Sequence, residues 1–298
     1  MKTYLDCIPC FFKQALEASR ISGAPSELQR EILIEVAKAV QTFPLESTPP
    51  EMGKIIHTII KRKVSNGDPY KKIRRETNDL VLSIYPRLKE IVSSSSDRLL
   101  KAVELAIYGN VIDYGPNSKD KVERELYKIA SQKEIPLVKC QKRFQYKEFV
   151  RALTKTKKLL YLADNAGEIV FDKLLIEEIK RVKSDVEIIV AVKEVPIIND
   201  ATIEDAKHCE LHKTAKLMSS GSDAPGTILS LCKSEFLEIF DDADMIISKG
   251  QGNFESLSDV KKNIFFLLMA KCKVVASHLG CNAGEIILFH RREKGKGG

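Results

Sequence analysis

Apolar positions recur at three- and four-residue intervals in the first half of the chain and bunch into short unbroken runs in the second. Leu28, Ile32, Val36 and Val40 mark one helical face behind Ser26-Glu27-Leu28-Gln29, a spacing that predicts a capping box. Met52, Ile55, Ile56 and Ile59 mark a second face behind Thr48-Pro49-Pro50-Glu51, where a first-turn proline gives up an N–H that has no helical partner anyway. Ile73, Leu80, Val81 and Ile84 mark a third, expected to end or kink near Pro86. Asp97 is placed to cap a fourth helix, which carries Leu99, Leu100, Val103 and Ile107. Helices are expected to continue toward residue 157, with no strong strand in the first 130 or so residues.

The runs of the second half read as buried strands: Leu159–Ala163, Val186–Val192, Met245–Ile247, Val274–Ala276 and a late edge strand at Ile286–Phe289. Strands apolar throughout and alternating with helical segments indicate a parallel sheet covered on both faces. The expected fold class is therefore α/β. A helical domain over residues 1–150 precedes a sheet domain over 151–298.

Composition narrows the class. The net charge is +7, but 48 basic residues are interleaved with 41 acidic ones in short clusters such as Lys61-Arg62-Lys63, so solvated helix surfaces explain it better than a nucleic-acid face. No apolar stretch approaches the roughly 20 residues of a membrane helix. Asp6, Lys13 and Glu17 interrupt any signal-peptide pattern at the N-terminus. Seven scattered cysteines, an odd number, fit reduced thiols in a cytoplasmic protein rather than a disulfide framework.

In open parallel sheets ligands bind outside the carboxyl ends of the strands, and the unusual polar residues fall there. One strand leads to Asp164, Asn165 and Gly167, another to Lys193 and then Asn199-Asp200, a third to Lys249-Gly250-Gln251-Gly252-Asn253. Asp164, Asn165 and Asp200 are hard oxygen donors that suit Mg²⁺ or Mn²⁺. Lys193 and Lys249 offset the charge of a phosphate, the glycines around Gly250 admit backbone N–H groups to an anion, and the helix after Gly167 adds its positive end. The picture is of a metal that holds a small phosphorylated substrate, with Asn253 as a further contact. Asn110 and Asp113 either reach the same site or cap a helix end. Cys7-Ile8-Pro9-Cys10 reads as a structural pair or an auxiliary metal grip, lacking the second pair that a structural zinc site needs.

Neither a Rossmann G-x-G-x-x-G nor a P-loop is present, and Ala166 stands where a haloacid-dehalogenase phosphatase has its second aspartate. Asp164-Asn165-Ala166-Gly167-Glu168, the segment Lys193 to Asp205 and the segment Lys249 to Glu255 together resemble the damage-control phosphatase family, also known as domain of unknown function 89. Cys7-x-x-Cys10, Asp68-Pro69-Tyr70 and Gly109-Asn110-x-Ile112-Asp113 resemble its archaeal and bacterial branch. The resemblance implies a three-layer α/β/α domain with a helical part. It also implies a phosphatase of small phosphometabolites, using Mn²⁺, Ni²⁺ or Co²⁺ on Asp164, Asn165 and Asp200. On that reading Lys249 and Lys193 neutralise the transferring phosphoryl group, and Asp200 or Asp205 orients the attacking water. Two rivals remain at this stage: carboxyl methyl transfer, and non-catalytic binding of a metal or phosphometabolite.

Overall fold

The computed structural model describes residues 1–64, 67–111, 119–131 and 139–291. Helices α1 (Cys7–Ile21), α2 (Ser26–Thr42) and α3 (Pro49–Lys63) come first, followed by α4 (Lys71–Ser83), α5 (Tyr85–Ser93), α6 (Arg98–Tyr108) and α7 (Lys119–Ser131). The Glu51 carboxylate accepts from the Thr48 N–H and hydroxyl, forming a capping box at the start of α3 that the sequence reading did not call. Asp97 caps α6 by accepting from the Leu100 N–H at 2.9 Å. The box expected at Ser26 is absent: Pro25 precedes the helix, and the Gln29 amide turns back to the Ala24 carbonyl instead.

Alternation follows: β1 (Lys139–Phe144), α8 (Tyr146–Lys155), β2 (Lys158–Leu162), α9 (Glu168–Val182), β3 (Glu187–Val192), α10 (Ile203–His208), β4 (Lys216–Ser219) and α11 (Ser234–Asp242). Then come β5 (Met245–Lys249), α12 (Gln251–Leu257), β6 (Ile264–Met269), α13 (Lys273–Leu279) and β7 (Ile286–Arg291). The seven strands form one sheet in the order β1-β7-β6-β5-β2-β3-β4, parallel from β6 to β4, with β7 antiparallel to β6.

The α/β class thus holds, with three corrections of detail. Val274–Ala276 is helical: Cys272 caps α13 through the Val275 N–H, and Gly280, in left-handed conformation, ends it. The apolar run Ile264–Met269 and the short segment Lys216–Ser219 are strands that the sequence reading lacks. Strand β1 lies within the stretch assigned to helices.

Packing does not break near residue 150. Helices α4 to α6, α8 and α9 share one core with a face of the sheet, through residues such as Val81, Val103, Phe149, Phe171 and Ile247. Helices α11 to α13 cover the other face through Phe236, Phe254 and Val275. Among the described residues, α1 to α3 alone keep a core of their own, built on Phe11, Ile32, Met52 and Ile56. This is the three-layer arrangement with a small helical cap.

The chain leaves β2 toward β3 and β4 on one side and returns to β5 and β6 on the other. Such a reversal opens a crevice between the carboxyl ends of β2 and β5, where the two crossovers diverge.

Candidate metal and phosphate site

Backbone bonds stitch the loops after β2 and β3 together, and the Asn253 side chain joins the loop after β5 to them in one floor. The Ala201 N–H donates to the Asp164 carbonyl at 2.8 Å and the Ala166 N–H to the Asn199 carbonyl at 2.9 Å. Asn165 and Asp200 pair as an isolated bridge. From the third loop the Asn253 amide donates to the Ala163 and Lys249 carbonyls and accepts from the Thr227 hydroxyl. Asn253 is thereby a brace between loops; its donors and acceptor are committed to protein, not presented to a substrate.

Asp164 stands at the centre. Its Oδ2 accepts from Asn110 Nδ2 at 3.1 Å and from Asn165 Nδ2 at 2.9 Å. The same two amides reach Glu168 Oε2, at 2.9 and 3.3 Å. Burial, then the carboxylates of Glu168 and Asp200, push the Asp164 carboxyl well above the usual carboxylate range, while Lys271 and Lys193 oppose the shift. Clustered oxygen donors with surplus negative charge fit a hard divalent cation. The Asn110 Oδ1, buried without a hydrogen-bond partner, adds an oxygen beside them. Asp113 lies outside the described residues.

Gly250, at φ 79°, is what lets this carboxylate sit here: a Cβ on it would stand 1.8 Å from Asp164 Oδ2. Gly250→Ala must therefore displace Asp164, and misplacement of a reacting group by about 1 Å costs about 10²-fold in rate. We expect that loss in initial phosphate-release rate with the circular-dichroism spectrum retained; an unchanged rate would refute the packing argument. The Gly250 N–H is itself bonded to the Leu267 carbonyl at 3.1 Å, so it offers nothing to an anion.

The two lysines do not point where the strand-end rule suggests. Lys249 is fully buried, and its ammonium donates to Glu168 Oε1 and Asp172 Oδ1, both at 2.6 Å, and to the Ala106 carbonyl at 2.9 Å. Burial disfavours its charge, but the two carboxylates outweigh that and hold its pKa above the ordinary lysine value. Tyr161 donates to the same Asp172 oxygen at 2.7 Å. With all three protons committed below the floor, Lys249 is positioned to fix Glu168, not to touch a phosphoryl oxygen. Lys193 likewise turns to protein, donating to the Gly226 carbonyl with Asp200 Oδ2 at 3.5 Å.

Two further expectations change on the helical side. The Gly167 N–H donates to Asn78 Oδ1 at 2.6 Å, so that amide, expected to face an anion, is capped by α4. A Cβ at Gly167 would meet Thr77 Cγ2 at 2.4 Å, which explains the glycine. Asp205 caps α10 by accepting from the Thr202 N–H and hydroxyl. It also accepts from Arg74 Nε at 3.0 Å and Asn78 Nδ2 at 2.9 Å. Arg74 in turn clasps Asp68. Asp205 therefore ties α4 to the site loops and has no role with a water; the Asp68-Pro69-Tyr70 segment belongs to that tie.

A model of the damage-control phosphatase ARMT1-like domain matches residues 3–287. The chain belongs to this family. It is 34% identical to the damage-control phosphatase of Pyrococcus horikoshii over 297 residues, 99% of this chain and all of that one. It is 37% identical to a damage-control phosphatase of Archaeoglobus fulgidus, covering 94% of this chain and 96% of the relative. An uncharacterized protein of Methanocaldococcus jannaschii is 36% identical over 96% of this chain and 94% of its own length. The crystal structure of the Pyrococcus horikoshii member of the domain of unknown function 89 family superposes with a TM-score of 0.83 at 32% identity, over 98% of this chain. Family, α/β fold and phosphatase class agree with the resemblance read from the motifs.

Above the floor of this damage-control phosphatase is a cavity of about 510 Å³, lined by Asp164, Asn165 and Asp200 below, by Lys13, Gln14 and Glu17 of α1 and His57 of α3 opposite, and by Lys271 beside β6. Sequence reasoning passed over Glu168, Lys271 and the α1–α3 wall. Lys271 stands two residues beyond β6, so identifying that strand places it on the same sheet edge by the same rule. Ile198, also on the wall, has φ 48°, a left-handed conformation that a β-branched residue adopts only under constraint.

His57 keeps an edge toward the cavity, but its Nε2 is buried without a hydrogen-bond partner. Burial lowers its pKa from 6.5 to about 4. A value depressed in the folded state means stability complete above 6.5 and lost as pH falls toward 4. Thermal midpoints followed across that interval should fall less steeply in His57→Gln than in the parent; parallel curves would contradict the assignment.

Proposed function

We propose that this phosphatase hydrolyses small phosphorylated metabolites, sugar phosphates or damaged phosphometabolites, at the cavity between the sheet edge and α1–α3. Asp164, Asn165 and Asp200 would hold a divalent ion, Mn²⁺, Ni²⁺ or Co²⁺, with Mg²⁺ as the hard-donor alternative. The observation that carries the reading is the surplus of carboxylate around Asp164 on the floor of a 510 Å³ cavity with Lys271 at its rim. That volume is within the range of about 300–1,000 Å³ typical of small-molecule sites.

A divalent ion bound there supplies Lewis acidity toward a phosphoryl oxygen and lowers the pKa of a coordinated water. The chain's own groups do the rest. Asn110 and Asn165 aim the Asp164 carboxylate, and Lys249 holds Glu168 in place beneath it. Asp200, tied from below by Lys193, orients the attacking water. Lys271 replaces Lys249 as the cation that offsets charge on the transferring phosphoryl group. The walls from α1 and α3 restrict water and select the organic part of the substrate. All seven cysteines are free thiols, which supports a cytoplasmic setting, and among the described residues no helix is long and apolar enough to cross a membrane.

The test is phosphate release from a panel of sugar phosphates and p-nitrophenyl phosphate, after metal stripping and with each divalent ion restored in turn. Release that returns with Mn²⁺, Ni²⁺ or Co²⁺ is expected; equal release in the stripped and restored protein would overturn the metal assignment.

A further inference from the structure

The segment Gly280-Cys281-Asn282-Ala283-Gly284-Glu285-Ile286 echoes the Asp164 loop in its letters, yet the structure uses it for the opposite junction, from helix α13 into strand β7. Its side chains meet a third group. Strand β1 pairs with β7 with Lys139 opposite Ile286, which brings Cys140 beside this loop. The Cys140 and Cys281 sulfurs and a Glu285 carboxylate oxygen all lie within 4.8 Å of one another. We propose that Cys140, Cys281 and Glu285 form a second metal site, separate from the phosphatase cavity and suited to a thiophilic divalent ion such as Zn²⁺.

The donor set is the first argument. Two thiolates and a carboxylate match borderline-soft Zn²⁺ and not the oxygen-only preference of the floor around Asp164. With Zn–S near 2.3 Å and Zn–O near 2.1 Å, tetrahedral donors stand roughly 3.5–3.8 Å apart, so closing around an ion needs a movement of only about 1 Å. The fourth position falls to water.

The support around the donors is the second. Glu285 accepts from the Asn282 N–H at 3.0 Å and from Asn282 Nδ2 at 2.9 Å, which fixes its carboxylate as an outer partner fixes a metal ligand. The loop is pinned to the end of β6 by Gly284 N–H to the Ala270 carbonyl at 2.8 Å and by Ala270 N–H to the Glu285 carbonyl at 3.2 Å. Gly280, at φ 66°, ends α13 in left-handed conformation, and Cys281 follows it partly buried against the core on this face. Arg143, anchored on the Leu279 carbonyl at 2.8 Å, supplies a positive charge near Cys281 that offsets the third anion.

A carboxylate beside a thiol pair works against forming thiolates, which disulfide chemistry requires, whereas a divalent ion turns the same crowding into attraction. Metal uptake releases the thiol protons, so affinity rises with pH. The pinned residue Ala270 immediately precedes Lys271, so the site also stiffens one wall of the phosphatase cavity.

The experiment titrates Co²⁺ into the full-length, reduced, metal-stripped protein and follows sulfur-to-cobalt charge-transfer absorption in the near ultraviolet. In the parent the band is expected to level off at an amplitude of one thiolate-bound Co²⁺ per chain, beyond any colourless or weakly absorbing Co²⁺ held at the Asp164 centre, and to be displaced by Zn²⁺. The band should survive in Asp164→Ala and in the Cys7→Ser/Cys10→Ser double variant, but vanish in Cys281→Ser, whose half-buried side chain tolerates the change. Asn282→Ala should weaken the Co²⁺ affinity of this band by about 10–100-fold. Absence of the band, its persistence in Cys281→Ser, or a Cys140–Cys281 linked peptide in protein purified under reductant would overturn the proposal. Because Asp164→Ala retains the band, failure here is distinguishable from failure of the phosphatase centre.

Discussion

Asp164→Ala is expected to lower phosphate release by at least about 10³-fold, the upper range for deletion of one group that stabilises developing charge in a preorganised site, and to leave the protein folded. Both halves follow from the surroundings of this carboxylate. It is the group on which Asn110, Asn165 and Gly250 converge, so its loss removes the floor's central donor. It is also held against Glu168 and Asp200 in a buried setting that disfavours its charge, so its removal relieves repulsion as well as leaving two amides unpaired. Thermal midpoints of metal-free parent and variant should lie close together, measured beside rates with Mn²⁺ restored. An active variant would remove Asp164 from the chemistry.

Lys249→Met is expected to have the largest effect on stability. It leaves Glu168 and Asp172 buried at 0% exposure with no cation between them, and breaking a buried ion pair by deleting one partner costs about 3–5 kcal/mol. In a chain of this size that corresponds to a fall in thermal midpoint of order 10 °C. The triple variant Lys249→Met, Glu168→Gln, Asp172→Asn should recover most of the loss, since the uncompensated charges go with it. If Lys249 instead gripped the phosphoryl group, Lys249→Met would raise KM and leave the midpoint unchanged. Calorimetry and kinetics on the same preparation separate the two.

The position of the site was more legible than the orientation of its side chains. Asp164 and Asn165 stand directly after a strand whose apolar run announces it, and Asp200 lies in the loop that leaves the next strand at the same edge, which is all the sheet-edge rule needs. Lys249 obeys the rule in place but not in direction. It shares a strand face with Ile247, which packs in the core beneath α9, so period-two alternation sends it under the floor. Glu168 and Asp172, one helical turn apart on α9, are the anions that receive it, an i,i+4 pair readable from sequence once the lysine's direction is known.

Missed strands have physical causes too. β1 is mostly polar because it is an edge, and β4 is four residues long, so neither carries a periodic signal. Val274–Ala276 and Ile264–Met269 are both short apolar runs, and a buried helix turn cannot be told from a strand by hydrophobicity alone. The exchange of those two hid Lys271. The wall from α1 and α3 was beyond reach for another reason: Lys13, Gln14 and His57 come to the cavity by packing between layers, which no local pattern encodes.

If Asp164, Asn165 and Asp200 hold the divalent ion on which phosphate release depends, binding of the ion and activity must be lost together. The most direct measurement is Mn²⁺ binding by paramagnetic resonance to metal-stripped protein, parent against Asp200→Ala, with phosphate release followed in the same samples. A saturable Mn²⁺ site is expected in the parent, its filling tracking the return of activity, and it is expected to be lost in Asp200→Ala. Equal Mn²⁺ occupancy in the two proteins, or full activity with the site empty, would contradict this assignment.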